Sequence, residues 1–206
     1  RVYVTNQEQT DNTVSVIDGA TNEDPDFATA WSLSGEFGNI RDLVFDPGTA
    51  ATFYAAEPTT NMLLNFTIGT MISITTIGPL GFGDVEALAF DPASNVLYGA
   101  DAATDQLITI NTTTGLGMAV GPLGFGDVEA LAFDPASNVL YGADTASDQL
   151  ITIVPATGLG TAVGPLGFGR VAALTVATLA FGHGLHRCVG DQRPVVVGMA
   201  EGAPYR

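Results

Sequence analysis

The sequence predicts an all-β fold assembled from tandem four-stranded units. Residues 78–110 recur at residues 121–153 with two changes, and a third copy opens at Gly164, so the repeat has a period of 43 residues. Each unit contains four short β-prone runs, and no stretch shows the 3.6-residue periodicity of a long helix. Four strands in a repeat of this length match one blade of a β-propeller, which takes about 40–45 residues.

The elements of one unit follow from its residue types. Apolar, β-branched and aromatic residues predict strands at residues 85–90, 95–100, 106–110 and 117–120. Turn-forming residues separate these runs, as in the segment Asp91-Pro92-Ala93-Ser94. The runs are apolar at nearly every position, which is typical of strands covered on both faces. We therefore expect the sheets to stack face to face, as propeller blades do.

The two ends of the chain carry incomplete units. The N-terminal unit lacks a first strand, and residues 171–176 match the first-strand residues 85–90. We expect residues 171–176 to pair with the N-terminal strands and close a ring of four blades; the alternative is a partial ring of five or more blades. The predicted domains are a propeller over residues 1–176 and a C-terminal tail over residues 177–206.

Composition excludes several classes of partner. The 206 residues include 22 acidic and 6 basic side chains, for a net charge of −16. A surface this acidic repels the phosphates of nucleic acids and the anionic heads of lipids, whereas cations are compatible ligands. The apolar run at residues 171–182 is shorter than the roughly 20 residues that a membrane-spanning helix needs. We expect no nucleic-acid partner and no membrane span.

The N-terminal unit carries a recognisable motif. Tyr3-Val4-Thr5-Asn6, followed by DNTVSVID at residues 11–18, resembles the YVTN-type β-propeller repeat of bacterial and archaeal surface and secreted proteins. The later units look like a looser relative of that repeat. The resemblance implies a propeller in an extracellular, cell-surface or periplasmic setting, and it implies no particular reaction. The start at Arg1 without methionine agrees with a removed leader peptide.

Polar residues of the first strands are candidates for a metal site, because first strands line the central channel of a propeller. Alignment of the units gives one layer with Asn39, Asp84, Asp127 and Arg170, and a second layer with Arg41, Glu86, Glu129 and Ala172. Carboxylates from neighbouring blades suit a hard cation such as calcium, and Glu86 and Glu129 are the predicted ligands. The competing interpretation is that the arginine of each layer pairs with the acids.

A second group of acids lies at the turns between second and third strands. The group comprises Asp101, Asp105, Asp144 and Asp148, with Asp11 and Asn61 at equivalent turns. Asp and Asn favour such turns because their side chains bond the neighbouring backbone. We predict a turn-forming role for them; the alternative is weak binding of sugars or cations at one rim.

The C-terminal segment departs from the repeat. Residues 181–190, FGHGLHRCVG, resemble the cysteine-ligand loop of the haem-thiolate monooxygenases. That resemblance implies Cys188 as an axial haem thiolate and His186 beside a haem propionate. The chain lacks the long helices that enclose haem in that family, so haem binding is disfavoured. Zinc or copper binding by His183, His186 and Cys188 is an intermediate option.

These observations favour a non-catalytic, exported or cell-surface propeller. We expect it to act as a binding or scaffold module for a small ligand, a cation or a protein partner at one rim, because rigid blades hold variable loops in a ring. The alternative function is a metal-dependent propeller hydrolase with a channel-bound cation. Such sites generally recruit histidine or asparagine ligands from several blades, and His183 and His186 both lie outside the repeats.

Overall fold

The computed structural model is an all-β protein with no helix among the residues it describes. Those residues are 2–8, 11–17, 31–32, 40, 42–49, 52–68, 72–167, 171–177 and 195–200. The described strands before residue 82 are β1 (Val2–Glu8), β2 (Asp11–Ile17), β3 (Trp31–Ser32), β4 (Asp42–Asp46), β5 (Thr52–Glu57), β6 (Met62–Ile68) and β7 (Ile72–Pro79). The later strands are β8 (Val85–Asp91), β9 (Val96–Asp101), β10 (Gln106–Ile110), β11 (Gly117–Pro122), β12 (Val128–Asp134), β13 (Val139–Asp144), β14 (Gln149–Ile153), β15 (Gly160–Pro165), β16 (Val171–Ala177) and β17 (Val195–Ala200).

Three consecutive four-stranded antiparallel sheets form the centre of the chain. Blade 1 has the strand order β4-β5-β6-β7, blade 2 comprises β8 to β11, and blade 3 comprises β12 to β15. The N-terminal strands form a three-stranded sheet in the order β1-β2-β3. The predicted succession of four-stranded units is confirmed. No helix within the described residues is long and apolar enough to cross a membrane.

The repeated sequence produces a repeated strand register. Val85 pairs with Asp101 in blade 2, and Val128 pairs with Asp144 in blade 3. In both blades the register then shifts by one residue, so Glu86 and Glu129 occupy equivalent β-bulges on the first strand. A bulge re-aims the side chain of its extra residue. The bulge therefore decides where these two glutamates point.

Aromatic residues join each blade to the next. The ring of Tyr54 in blade 1 stacks on Phe90 of blade 2 with 6.2 Å between centroids, and Tyr98 of blade 2 stacks on Phe133 of blade 3 at 6.3 Å. Leu88 and Leu131 are buried in the clusters around these pairs. Because apolar side chains cover both faces of blade 2, its strands lack the apolar and polar alternation of a half-exposed sheet.

Glycines allow the blades to approach closely. A Cβ added to Gly78 would lie 2.2 Å from the carbonyl oxygen of Thr114 in blade 2, and a Cβ on Gly121 would lie 2.3 Å from that of Thr157 in blade 3. Backbone bonds cross the same boundaries, since the amide of Gly117 donates to the carbonyl of Leu80 at 2.9 Å. The repeat thus encodes its blade-to-blade contact as well as its strands.

The predicted pairing of residues 171–176 with the N-terminal strands is wrong. Strand β16 instead pairs antiparallel with β17, which lies in the segment predicted as a tail, and their register joins Val171 to Ala200. The physical reason is sequence separation: β17 begins 18 residues after the end of β16, whereas the N-terminal strands lie more than 130 residues away, and closing the longer separation costs more chain entropy. The count of four blades and the domain limits of 1–176 and 177–206 stay predictions.

Candidate binding site between the inner strands

The first strands of the units lie side by side and border a cavity that is open to solvent. Strand β8 packs between β4 and β12, and β16 packs beside β12. The space between these strands has a volume of about 480 Å³. Its lining is formed by Asp42, Leu43, Val44, Phe45, Phe53, Leu88, Ala89, Phe90, Leu131, Ala132, Phe133, Ala173, Leu174, Thr175 and Val176.

Most side chains of the cavity wall are apolar. Phe45, Phe90 and Phe133 occupy the same position in successive units, each directly before the aspartate that ends its strand. Ala132 is buried at the cavity wall and belongs to none of the core clusters formed by the described residues. Asp42 and Thr175 supply the polar side chains of the described lining. The described lining therefore combines mostly apolar side chains with one carboxylate, one hydroxyl and polar backbone atoms.

Asp42 is the ionisable group of this cavity. Its Oδ1 accepts a hydrogen bond from the backbone amide of Leu43 at 2.8 Å, and its Oδ2 accepts one from the amide of Leu88 in the next blade at 2.7 Å. Burial among apolar groups raises the pKa of Asp42 from 3.8 to about 7, an effect that the two amides partly offset. The ionised and neutral forms of Asp42 are thus both accessible near neutral pH.

The sequence prediction missed Asp42, although the repeat contains a signal for it. The corresponding positions of later units hold Ala87, Ala130 and Ala173. A carboxylate that replaces a small apolar residue at one position of an otherwise apolar strand has no role in the repeat itself. Such a departure from the consensus of the chain's own units would have identified the residue.

The predicted metal ligands Glu86 and Glu129 lie together, with Asp127 as a third member. Carboxylate oxygens of the three residues all lie within 4.8 Å of one another. Glu86 is buried, and Asp127 and Glu129 are half-buried. The structure thus joins acids that the alignment assigned to two separate layers. Asp84, Glu86, Asp127 and Glu129 all take part in polar interactions within the protein.

Several members of the predicted layers cannot be compared with this cluster. Asn39, Arg41 and Arg170 lie outside the described residues, as does the side chain of Ala172. The acids themselves have the chemistry that a hard cation requires, because each offers carboxylate oxygen. Glu86 and Glu129 therefore stay predicted ligands.

The turn acids are held by the local backbone, as the sequence predicted. Asp101 and Asp144 are fully buried, and their Oδ1 atoms accept hydrogen bonds of 2.9 Å from the amides of Asp84 and Asp127. The hydroxyl of Thr104 also donates to Asp101 at 2.6 Å. These bonds fix the start of each inner strand. Asp101 and Asp144 thereby position the residues around the acidic cluster.

The remaining turn residues adopt a backbone conformation suited to Asp and Asn. Asn61, Asp105 and Asp148 have φ angles of 54°, 53° and 54°. This left-handed region is several-fold enriched in Asn and Asp over other residues with a Cβ. Asp11 begins β2, but its side chain lies outside the description. The haem-thiolate motif, with His183, His186 and Cys188, also lies outside the described residues.

Comparison with known proteins supports the fold. No family model and no curated protein matches the sequence. A solved structure of a nidogen/laminin complex is similar with a TM-score of 0.65 and 15% identity over 85% of this chain and 65% of that chain. A protein of unknown function from Bacteroides thetaiotaomicron gives a TM-score of 0.60 and 16% identity over 78% of this chain and 40% of its own. Hydrazine synthase from Kuenenia stuttgartiensis gives a TM-score of 0.50 and 12% identity over 82% of this chain and 48% of its own.

These similarities concern the fold alone, because the identities are low. The chain spans 65% or less of the length of each of the three structures. Repeated four-stranded sheets with adjacent inner strands, together with these neighbours, show that the chain has a β-propeller fold.

Proposed function

We propose that this chain is a non-catalytic binding module that holds a small ligand between its inner strands. The observation that carries the proposal is the cavity of about 480 Å³. Ligand sites in proteins typically measure about 300–1,000 Å³ and combine apolar walls with a few polar groups. The described lining contains no histidine, cysteine, lysine or serine beside Asp42. Asp42 is thus the one ionisable side chain of the described lining, and the lining offers it no second ionisable group as a partner in catalysis.

A variant that fills the cavity tests this function. We choose Ala132→Phe, because Ala132 lies at the cavity wall outside the core clusters of the described residues. Ala119→Phe is the matched control, because Ala119 is exposed on the outer strand β11. The probes are 4-phenylbutanol and 4-phenylbutylamine, titrated into each protein by calorimetry. We expect both probes to bind the wild type and Ala119→Phe, and neither to bind Ala132→Phe. Equal binding to all three proteins, or to none, would contradict the proposal.

The location that we propose is extracytoplasmic. The support is the similarity of residues 3–6 and 11–18 to the YVTN-type repeat of surface and secreted proteins. Expression of the natural gene in its own host, followed by separation of medium, envelope and cytoplasm, tests this location. Recovery in the cytoplasm alone would contradict it.

A protein partner at one rim is compatible with the same fold. The similar nidogen structure is itself a complex with laminin, and its likeness to this chain lies in the propeller scaffold. We retain protein binding as a second mode of the module, because loops at the rim of a propeller are free to vary without disturbing the blades.

A second candidate function is cation binding in the channel, with metal-dependent hydrolysis as its catalytic form. The specific observation in favour is the convergence of Glu86, Asp127 and Glu129, whose oxygens lie within 4.8 Å. Calcium takes six to eight oxygen ligands, so three carboxylates that each bind through one oxygen would provide up to half of a coordination shell. A hydrolase would use the cation to polarise a carbonyl oxygen. A calcium titration, described below, tests this candidate.

A further inference from the structure

We propose that the ligand of the cavity is an organic ammonium, with an apolar body against the phenylalanine walls and its nitrogen at the Asp42 carboxylate. This inference rests on the proposed binding function and adds the chemical class of the ligand. The geometry points to it because Asp42 is the single charged side chain among the described residues that line a space of about 480 Å³, and most of the other lining side chains are apolar.

The carboxylate is held in a fixed orientation. Each of its oxygens accepts one backbone amide, from Leu43 at 2.8 Å and from Leu88 at 2.7 Å. An ionised carboxylate has about four acceptor positions, so two remain for a ligand. Because the two amides belong to adjacent blades, the packing of the blades sets the direction in which those positions face. A donor group in the cavity therefore meets an acceptor that is already oriented.

The surroundings select a cationic donor. A carboxylate among apolar groups is poorly solvated, and an opposite charge nearby favours its ionised form. None of the described residues that line the cavity from β4, β5, β8, β12 and β16 is cationic, and Asp42 is the one acid among them. Burial raises the pKa of Asp42 to about 7, which agrees with a carboxylate that has no cationic partner among the described residues. An ammonium ligand would supply that charge.

The net charge of the protein also favours a cationic ligand. The whole chain carries −16, so its field attracts cations and repels anions over distances longer than a contact. The later units hold Ala87, Ala130 and Ala173 at the position of Asp42. The described part of the cavity thus has one charged end and an apolar remainder, which matches a ligand with a single ammonium group.

Three probes of the same shape separate charge from burial. These are 4-phenylbutylamine, 4-phenylbutanol and 4-phenylbutyrate, each titrated by calorimetry at pH 8 into the wild type, Asp42→Asn and Asp105→Asn. Asp105→Asn is the matched control, because it makes the same change at an exposed turn. We expect the amine to bind the wild type most tightly and the butyrate not to bind. Asp42→Asn should lower the amine affinity by about ten-fold or more, since a charge-assisted contact is lost.

The alcohol serves as the internal check on folding. Its affinity should be unchanged in Asp42→Asn and Asp105→Asn, which would show that the cavity is intact. Equal affinities of amine and alcohol for the wild type, or an unchanged amine affinity in Asp42→Asn, would overturn the ammonium inference. The proposed binding function would still hold in that case if Ala132→Phe abolishes binding. If no probe binds the wild type, the proposed function and this inference are both overturned.

Discussion

The carboxylate of Asp42 on β4 accepts a hydrogen bond from the backbone amide of Leu88 on β8, with 2.7 Å between Oδ2 and N. The bond joins the inner strands of blades 1 and 2 at the wall of the cavity. Asp42 is half-buried, and hydrogen bonds offset the loss of hydration that a carboxylate suffers among apolar groups. Asp42 therefore links the contact between two blades to the electrostatics of the proposed binding site.

The stability of the protein should depend on the ionisation of Asp42. The folded state raises the pKa of Asp42 to about 7 from 3.8, so it holds the proton more tightly than the unfolded chain does. The resulting stabilisation is complete below pH 3.8 and is lost as the pH rises to about 7. Asp42→Asn has no such titration. Its free energy of unfolding relative to the wild type should therefore increase between pH 4 and 7, by up to about 4 kcal/mol, and stay constant above.

Urea unfolding of both proteins at a series of pH values measures this difference. The difference between the two proteins is the informative quantity, because the other carboxylates of this acidic chain titrate in both. A difference that does not change between pH 4 and pH 8 would show that Asp42 is solvated in the folded protein.

An added methyl group should destabilise the protein at Gly121 but have little effect at Gly164, which is the same repeat position in the next unit. Gly121→Ala places a Cβ 2.3 Å from the carbonyl oxygen of Thr157, so the backbones of blades 2 and 3 must separate. We expect a loss of about 1–3 kcal/mol in the free energy of unfolding. Gly164 is the matched position of the next unit, and no described atom lies within 4 Å of its Cβ. Gly164→Ala should change stability by less than about 0.5 kcal/mol.

Denaturant unfolding of the two variants gives the comparison. An equal loss in both would show that another segment packs over blade 3 as blade 3 packs over blade 2. The ring would then continue past Gly164 with the same spacing. The pair of variants therefore also tests the blade count.

The buried turn acids should be essential for stability. Asp101→Ala removes the acceptor of the Asp84 amide and of the Thr104 hydroxyl. A buried donor left without an acceptor costs about 1–3 kcal/mol. Asp144→Ala should cost a similar amount, because Asp144 accepts the amide of Asp127 in the same geometry. Thermal unfolding followed by circular dichroism checks both, with the exposed Asp105→Asn as the control. A melting temperature unchanged from the control would contradict the role assigned to these acids.

The acidic cluster should respond to calcium if it holds a cation. Millimolar calcium should then raise the melting temperature of the wild type, because a ligand that binds the native state stabilises it by mass action. The double change Glu86→Gln and Glu129→Gln should remove that rise, whereas Asp105→Asn should retain it. Absence of both titration heat and a thermal shift in the wild type would dismiss the calcium site.

The sequence was sufficient to predict the blades because each strand is specified within its own unit. Local residue types set the strands and turns, and the 43-residue repeat showed that the same solution recurs. The partner of β16 was mispredicted because pairing between distant segments depends on competing strands. Strand β17, with the sequence VVVGMA, is such a competitor near the end of the chain.

The cavity and its carboxylate were harder to predict than the blades, because they depend on packing between units. The proximity of Glu86 and Glu129 could be predicted, because alignment of the units places them at equivalent points of adjacent inner strands. Asp42 was missed because it occurs in one unit alone, whereas the later units hold alanine at the same position. Its burial and its bond to Leu88 arise from the packing of two blades, which a single unit does not encode.

A crystal structure of the protein grown with 4-phenylbutylamine at pH 8 would show whether an organic ammonium binds in the cavity beside Asp42. We expect electron density for the probe between β4, β8, β12 and β16. Its phenyl ring should contact Phe90 or Phe133, and its nitrogen should lie within hydrogen-bonding distance of the Asp42 carboxylate. Inner strands that do not lie side by side, or a cavity without the probe in crystals where the probe is bound elsewhere, would contradict it.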